Sequence, residues 1–128
     1  MNKVLERPAK VQGIFGNTRQ VKVTVNNHSK NGLTVSKKQL AHGKWLVEPH
    51  KIEANQTGHF EAEKTTGAPI GVQGLVQYDT GHASFTIRFQ KPLGTDESYI
   101  EVNDSGAGAK LRDEERSKEI ISAIVDVQ

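Results

Sequence analysis

Apolar and polar residues alternate with a period of two along most of the chain, which is the pattern of strands with one buried face. Val21, Val23 and Val25 alternate with Gln20, Lys22, Thr24 and Asn26, and the run stops at the turn-forming cluster Asn27-His28-Ser29-Lys30-Asn31-Gly32. Leu33 and Val35 alternate next, and Trp45 and Val47 follow Gly43 and end at Pro49, whose nitrogen has no proton for a sheet ladder. Ile52, Phe60 and Ala62 mark weaker strands. Val72, Val76 and Tyr78 share one face of a further strand, with Gly71 and Gly74 where the backbone bends or another approaches closely. Asp79-Thr80-Gly81-His82 reads as a hairpin loop leading into Phe85, Ile87 and Phe89, the cleanest half-buried strand, which Pro92 ends. Ile100 and Val102 form a short strand before Asp104-Ser105-Gly106-Ala107-Gly108, which reads as loop.

The two ends of the chain are less regular. Residues 110–118 combine helix-forming side chains with opposite charges at helical spacing, whereas Ile121, Ala123, Val125 and Val127 alternate again. A short helical segment followed by a final strand is preferred to one continuous C-terminal helix, because the last residues are β-branched. Near the start, Pro8, Gly13 and Gly16 interrupt any helix, so Val4, Leu5, Val11, Ile14 and Phe15 read as an extra edge strand. Seven to nine short strands separated by Gly, Asn and Pro turns predict an all-β fold, an antiparallel β-sandwich or barrel.

Composition narrows this picture. The 128 residues suit one domain, 1–128, and folding should bury roughly two-thirds of the extended surface. Hydrophobic residues at 34%, charged residues at 25% and a mean hydropathy of -0.58 point away from membrane-spanning and disordered chains alike. Without cysteine there is neither a disulfide framework nor a thiolate site. The net charge of +2 is too small for nucleic acid to be the expected partner. It is unevenly divided: residues 1–64 carry 11 Lys and Arg against 5 acidic residues, and residues 65–128 carry 6 against 10. In an interleaved sheet those halves are expected to mix in space. Met1 to Pro8 lacks the apolar stretch of about 7–15 residues of a secretory signal, so a cytoplasmic location in the producing cell, or unconventional release, is expected.

The sequence contains none of the usual catalytic patterns. The five histidines, His28, His42, His50, His59 and His82, have no compact metal-ligand spacing, and no nucleophile elbow, P-loop or dinucleotide fingerprint occurs. The expectation is a non-enzyme with no cofactor and no metal. Three glycosylation triplets start at Asn27, Asn55 and Asn103, a number that chance produces in a chain this rich in Asn, Ser and Thr.

Three stretches carry a resemblance: Val21 to Ser29, Gly43-Lys44-Trp45-Leu46-Val47-Glu48-Pro49, and Gly71 to Tyr78. With Phe85 to Gly94 and Ser98-Tyr99-Ile100 they resemble, in order and spacing, the aegerolysin family, and within it the 14-kDa component of bacterial binary insecticidal crystal toxins; the likeness covers about residues 19–103. It implies an actinoporin-like β-sandwich, recognition of a lipid or receptor at a target membrane, and pore formation with a larger partner protein; a homodimer is a separate option, from self-association of the unevenly charged chain. Leu93 stands where the family pattern has an aromatic residue, and cation-π capture of a choline headgroup needs an aromatic face, so a choline site of the family kind is not expected.

The candidate lipid- or ligand-binding residues are Trp45, Lys44, His42, Tyr78, Tyr99 and Pro92. An indole suits the water–lipid boundary, and Lys44 and His42 beside it offer positive charge to phosphate. For Trp45, Tyr78 and Tyr99 the competing role is packing, and Phe89 reads as core. Two other functions stay open: a non-lytic, glycan-binding sandwich, and a self-associating structural or storage domain.

Overall fold

The computed structural model describes residues 18–94 and 97–128, so the N-terminal edge strand expected from Val4 to Phe15 lies outside the described residues. Nine strands are present among them: β1 (Gln20–Asn27), β2 (Thr34–His42), β3 (Lys44–Val47), β4 (Thr57–Glu63), β5 (Val72–Asp79), β6 (Ser84–Lys91), β7 (Tyr99–Ser105), β8 (Ala109–Arg116) and β9 (Ile120–Val127). They form two sheets, one in the order β3-β4-β1-β9-β8 and the other in the order β2-β5-β6-β7. The all-β sandwich expected from the alternation is therefore what forms. Six of the seven strand pairings are antiparallel; β1 and β9 instead run parallel, with Val21 beside Ile121 and Val25 beside Val125.

The period-two pattern becomes the core directly. β1, β6 and β9 alternate between half-covered and buried residues along almost their whole length. Val21, Val23, Val25, Phe60, Ile121 and Val125 of the first sheet are buried together with Val72, Val76, Tyr78, Phe85, Ile87 and Phe89 of the second. Burying each of these large side chains contributes about 1.5–3 kcal/mol before the entropy of ordering is subtracted. At one end, Leu33 and Ile52 bridge to each other through paired backbone hydrogen bonds and close the core. Asn27 secures the turn beside them: its amide donates to the Asn31 and Glu53 carbonyls at 2.8 and 3.1 Å and its oxygen accepts from the Ser29 N–H at 3.0 Å. At the other end, a Cβ on Gly71 would stand 2.1 Å from the Lys91 carbonyl oxygen, which is why a residue without one is needed where β5 begins against the end of β6.

Two local expectations are corrected. Residues 110–118 are not helical: Ala109 to Arg116 form β8, paired with β9, and a bulge between Arg112 and Glu115 with Asp113 at φ 53° absorbs the charged run. Pairing with the strongly alternating β9 outweighs the weak helix propensity of the segment. Nor is Asp104 to Gly108 all loop, because β7 continues through Ser105. The Asp104 carboxylate accepts the N–H groups of Ala107, Gly108 and Ala109, each at 3.1 Å, so the turn into β8 is tied by the last residues of β7.

The unequal charge of the two halves also survives folding. β2 and β3 form one lateral edge of the sandwich, and β7 and β8 form the other. Residues 28–51, which build the first edge, hold five lysines and one glutamate, and residues 97–119, which build the second, hold seven acidic and four basic residues. Mixing is confined to the interior strands.

Candidate functional site

The chain passes from the second sheet to the first at Gly43, between β2 and β3, and three of the six candidate residues, His42, Lys44 and Trp45, flank this corner. Gly43 has φ 110°, and a Cβ there would lie 2.7 Å from the Glu63 carbonyl oxygen and 2.9 Å from a Val72 methyl, so the crossing is tight enough to require glycine. His42 and Lys44, on either side of it, are exposed. Lys44 pairs with Glu63 at 3.4 Å, an ion pair at the surface that contributes little to stability.

Trp45 faces inward. It lies opposite Ala62 in the β3–β4 ladder and meets Phe60 and Phe89 edge-on, with ring centroids 6.0 and 6.2 Å apart. Phe60 and Phe89 are themselves 5.7 Å apart, so the indole closes an aromatic trio at the rim of the core. This geometry gives Trp45 a packing role first, with only part of its surface left to solvent.

The other three candidates are divided. His42, Gln73, Gln90 and Tyr99 stand in register across the second sheet, so Tyr99 shares its outer surface with His42 but about 14 Å away, three inter-strand spacings. Pro92 lies just beyond β6 at the same end, and its carbonyl accepts the Arg19 Nε–H at 3.2 Å. Tyr78 is corrected as a ligand residue: it is 0% exposed, stacked on Phe85 at 5.3 Å, and presents nothing to a ligand. Its hydroxyl is buried without a hydrogen-bond partner, and burial raises its pKa above the ordinary tyrosine range.

Two residues absent from the sequence-based set complete the corner. Leu46 and Ile70 are 44% and 46% exposed, the large hydrophobic side chains left most open to solvent among the described residues. Ile70 lines a shallow cleft of about 340 Å³ with Ala41, His42, Gly43, Thr65 and Ala68. Beneath it the buried Lys64 donates its ammonium to the Thr65 and Ala68 carbonyls at 3.1 and 2.8 Å, which fixes the turn carrying Ile70. The signal was present in Ala68-Pro69-Ile70-Gly71, where a β-branched apolar residue sits in a turn-forming stretch instead of a strand. Apolar tips flanked by His42 and Lys44 make an amphipathic corner, suited to a surface with charged or polar groups outside and hydrocarbon below. Among the described residues no group of three His, Cys, Asp or Glu is placed to hold a metal ion.

Fold and corner together define a two-sheet β-sandwich with an amphipathic crossing between its sheets. No protein-family model matches the chain, and no curated protein matches it. Solved structures do share the fold. The chain is similar to the lipid binding protein Nakanori, with a TM-score of 0.66 and 18% identity over 95% of this chain and 76% of that one. It is also similar to RahU protein, solved in complex with a TRIS molecule, at 0.70 and 13% over 85% and 92%. IP-1A from Alcaligenes faecalis matches at 0.66 and 13% over 86% and 91%. At these identities the likeness establishes the β-sandwich and its topology class.

Proposed function

We propose that this protein is a non-enzymatic, aegerolysin-type lipid-binding protein that meets a target membrane through the β2–β3 corner. The observation that carries the proposal is the exposure of Leu46 and Ile70 on the corner that also presents His42 and Lys44. Insertion of two aliphatic tips contributes affinity in proportion to the apolar area they bury, while the Lys44 ammonium and the His42 imidazole offer hydrogen bonds to headgroup phosphate. Nakanori, which has the same fold, is itself a lipid binding protein. Among the described residues no helix is long and apolar enough to cross a membrane. Pore formation, and with it toxicity like that of the 14-kDa binary-toxin components, is assigned to assembly with a larger partner protein after release from the producing cell.

The test is co-sedimentation with vesicles of sphingomyelin, ceramide phosphoethanolamine or phosphatidylcholine, using the wild type and a Leu46→Ser, Ile70→Ser double variant. Binding of the wild type to at least one composition, weakened in the variant, is the expected result. A folded protein that binds none of them would sink the proposal.

A second function has an observation of its own. The outward residues Gln39, Gln73, Gln77, Thr86, Arg88 and Asn103 of the second sheet make no side-chain hydrogen bond or ion pair among the described residues. Amides that both donate and accept suit sugar hydroxyls. Glycan binding competed away by free sugar, without vesicle leakage, would favour that function.

A further inference from the structure

A second recessed site lies on the same edge of the sandwich, away from the Gly43 crossing. The first half of β2 and the segment 49–51 after β3 enclose a cleft of about 450 Å³. Its polar lining comes from Thr34, Ser36, Lys37, Lys38, His50 and Lys51, with no acidic residue in the lining. Three lysines, a histidine and two hydroxyl residues therefore line one concave surface, and each of their side chains can donate a hydrogen bond.

The backbone is irregular where β2 lines the cleft. Val35 pairs with Tyr78 and Lys37 with Gln77, so Ser36 is the extra residue of a bulge. The bulge sets Ser36 and Lys37 together opposite Gln77, and the next residue, Lys38, opposite the buried Val76. Ser36 also donates its hydroxyl to the Gln77 carbonyl, which holds the bulge to β5. Lys38 reaches across the open edge to Glu48, and Lys51 pairs with Glu53 at 3.5 Å. The carboxylates are exposed and stand outside the lining, with Lys38 and then His50 holding Glu48 below the usual carboxylate range. Exposed ion pairs of this kind are weak and exchange readily for a better acceptor. Lys37 has no ion pair among the described residues.

We propose that this cleft binds a phosphate group, as an anion carrying several acceptor oxygens within reach of Lys37, Lys38, Lys51, His50 and the Thr34 and Ser36 hydroxyls. Charge complementarity selects the ligand class. A tetrahedral oxyanion satisfies several donors at once, as a single carboxylate on either side of the cleft does not. The volume admits a phosphate together with a small organic substituent, either a lipid headgroup or a free phosphate ester. In the headgroup case the inference deepens the proposed membrane contact and rests on it, because the cleft and the Leu46–Ile70 corner lie on one edge.

The experiment separates the two sources. Inorganic phosphate is titrated into labelled wild-type protein at constant ionic strength, with chloride as the control, and backbone amide shifts are followed. In parallel, a Lys37→Gln, Lys51→Gln double variant is compared with wild type for binding to phosphatidylcholine vesicles with and without phosphatidylglycerol. Saturable shifts centred on residues 34–38 and 49–51, absent with chloride, support the site. If the variant then binds phosphatidylglycerol vesicles about tenfold more weakly, the source is a headgroup. Site shifts without any vesicle binding by wild type support a soluble phosphate ligand and overturn only the membrane function. Vesicle binding without site shifts overturns the cleft and leaves the corner standing. Shifts spread evenly over all surface lysines overturn the cleft as well. The wild-type titration stands whether or not the variant folds.

Discussion

The two lateral edges of the sandwich face the same structural problem, since at each the chain passes from one sheet to the other, and they resolve it differently. On the β7–β8 edge the protein satisfies its own polar groups. Asp104 takes three backbone N–H groups, Arg112 is held by Asp126 and Asp113, and Arg116 by Glu114. On the β2–β3 edge the crossing is made by backbone geometry at Gly43; His42, Leu46, Ile70 and Lys37 are left to solvent, and Lys38, Lys44 and Lys51 hold only surface ion pairs to Glu48, Glu63 and Glu53. The self-satisfied edge serves as scaffold. The unsatisfied one is where a partner has something to gain, because bound donors and covered apolar area both lower free energy only if they were free beforehand.

The sharpest way to break the contrast is to damage the crossing itself. Gly43→Ala places a Cβ 2.7 Å from a carbonyl at a φ that alanine avoids, and is expected to destabilise the fold by about 3 kcal/mol in urea unfolding. On the opposite edge, Asp104→Ala strands three N–H groups near the buried Ala107 and Ala109, with an expected loss of about 2 kcal/mol by the same measurement. Leu46→Ser with Ile70→Ser should separate scaffold from surface: vesicle affinity falls by about tenfold, while unfolding changes by less than about 1 kcal/mol. Equal losses of stability and binding would show that the corner is merely structural.

Two smaller effects sharpen the comparison. Tyr78→Phe removes a buried hydroxyl with no partner and should raise stability by about 1 kcal/mol in urea unfolding. Asp126 supplies a pH signature for the first sheet: hydrogen bonds from Arg112 and Asn26, with His28 nearby, hold its carboxyl below the ordinary value. A depressed carboxylate stabilises the fold above the unfolded pKa of about 3.9, and that contribution disappears as the pH falls through the folded value. Arg112→Gln should flatten this acid limb of a stability–pH curve, and an unchanged limb would remove Asp126 as its source.

Much of the fold was legible because burial on one face leaves a period-two trace. The runs Val21 to Val25, Phe85 to Phe89 and Ile121 to Val127 each became a strand with the expected residues inward. The same trace placed Tyr78 beside Val72 and Val76, and its burial removes it as a ligand residue. Residues 110–118 were illegible for the opposite reason: their helical charge spacing is local, and their partner strand is not. At the candidate site, Trp45 stood out as the sole tryptophan, in a Gly-Lys-Trp context, with His42 and Lys44 beside it, but the inward turn of the indole depends on its register with Ala62.

Alternation, turn chemistry and the absence of cysteine thus determined, from the sequence by itself, that this chain builds short strands around one-sided apolar faces, because each of those signals acts between neighbours a few residues apart. The tertiary structure decided which strands form the edges, that the basic and acidic segments lie on opposite sides, that Leu46 and Ile70 stay uncovered, and that residues 34–38 and 49–51 line one cleft. Those outcomes depend on pairings between distant segments, such as β1 with β9 and β2 with β5, which no local pattern encodes.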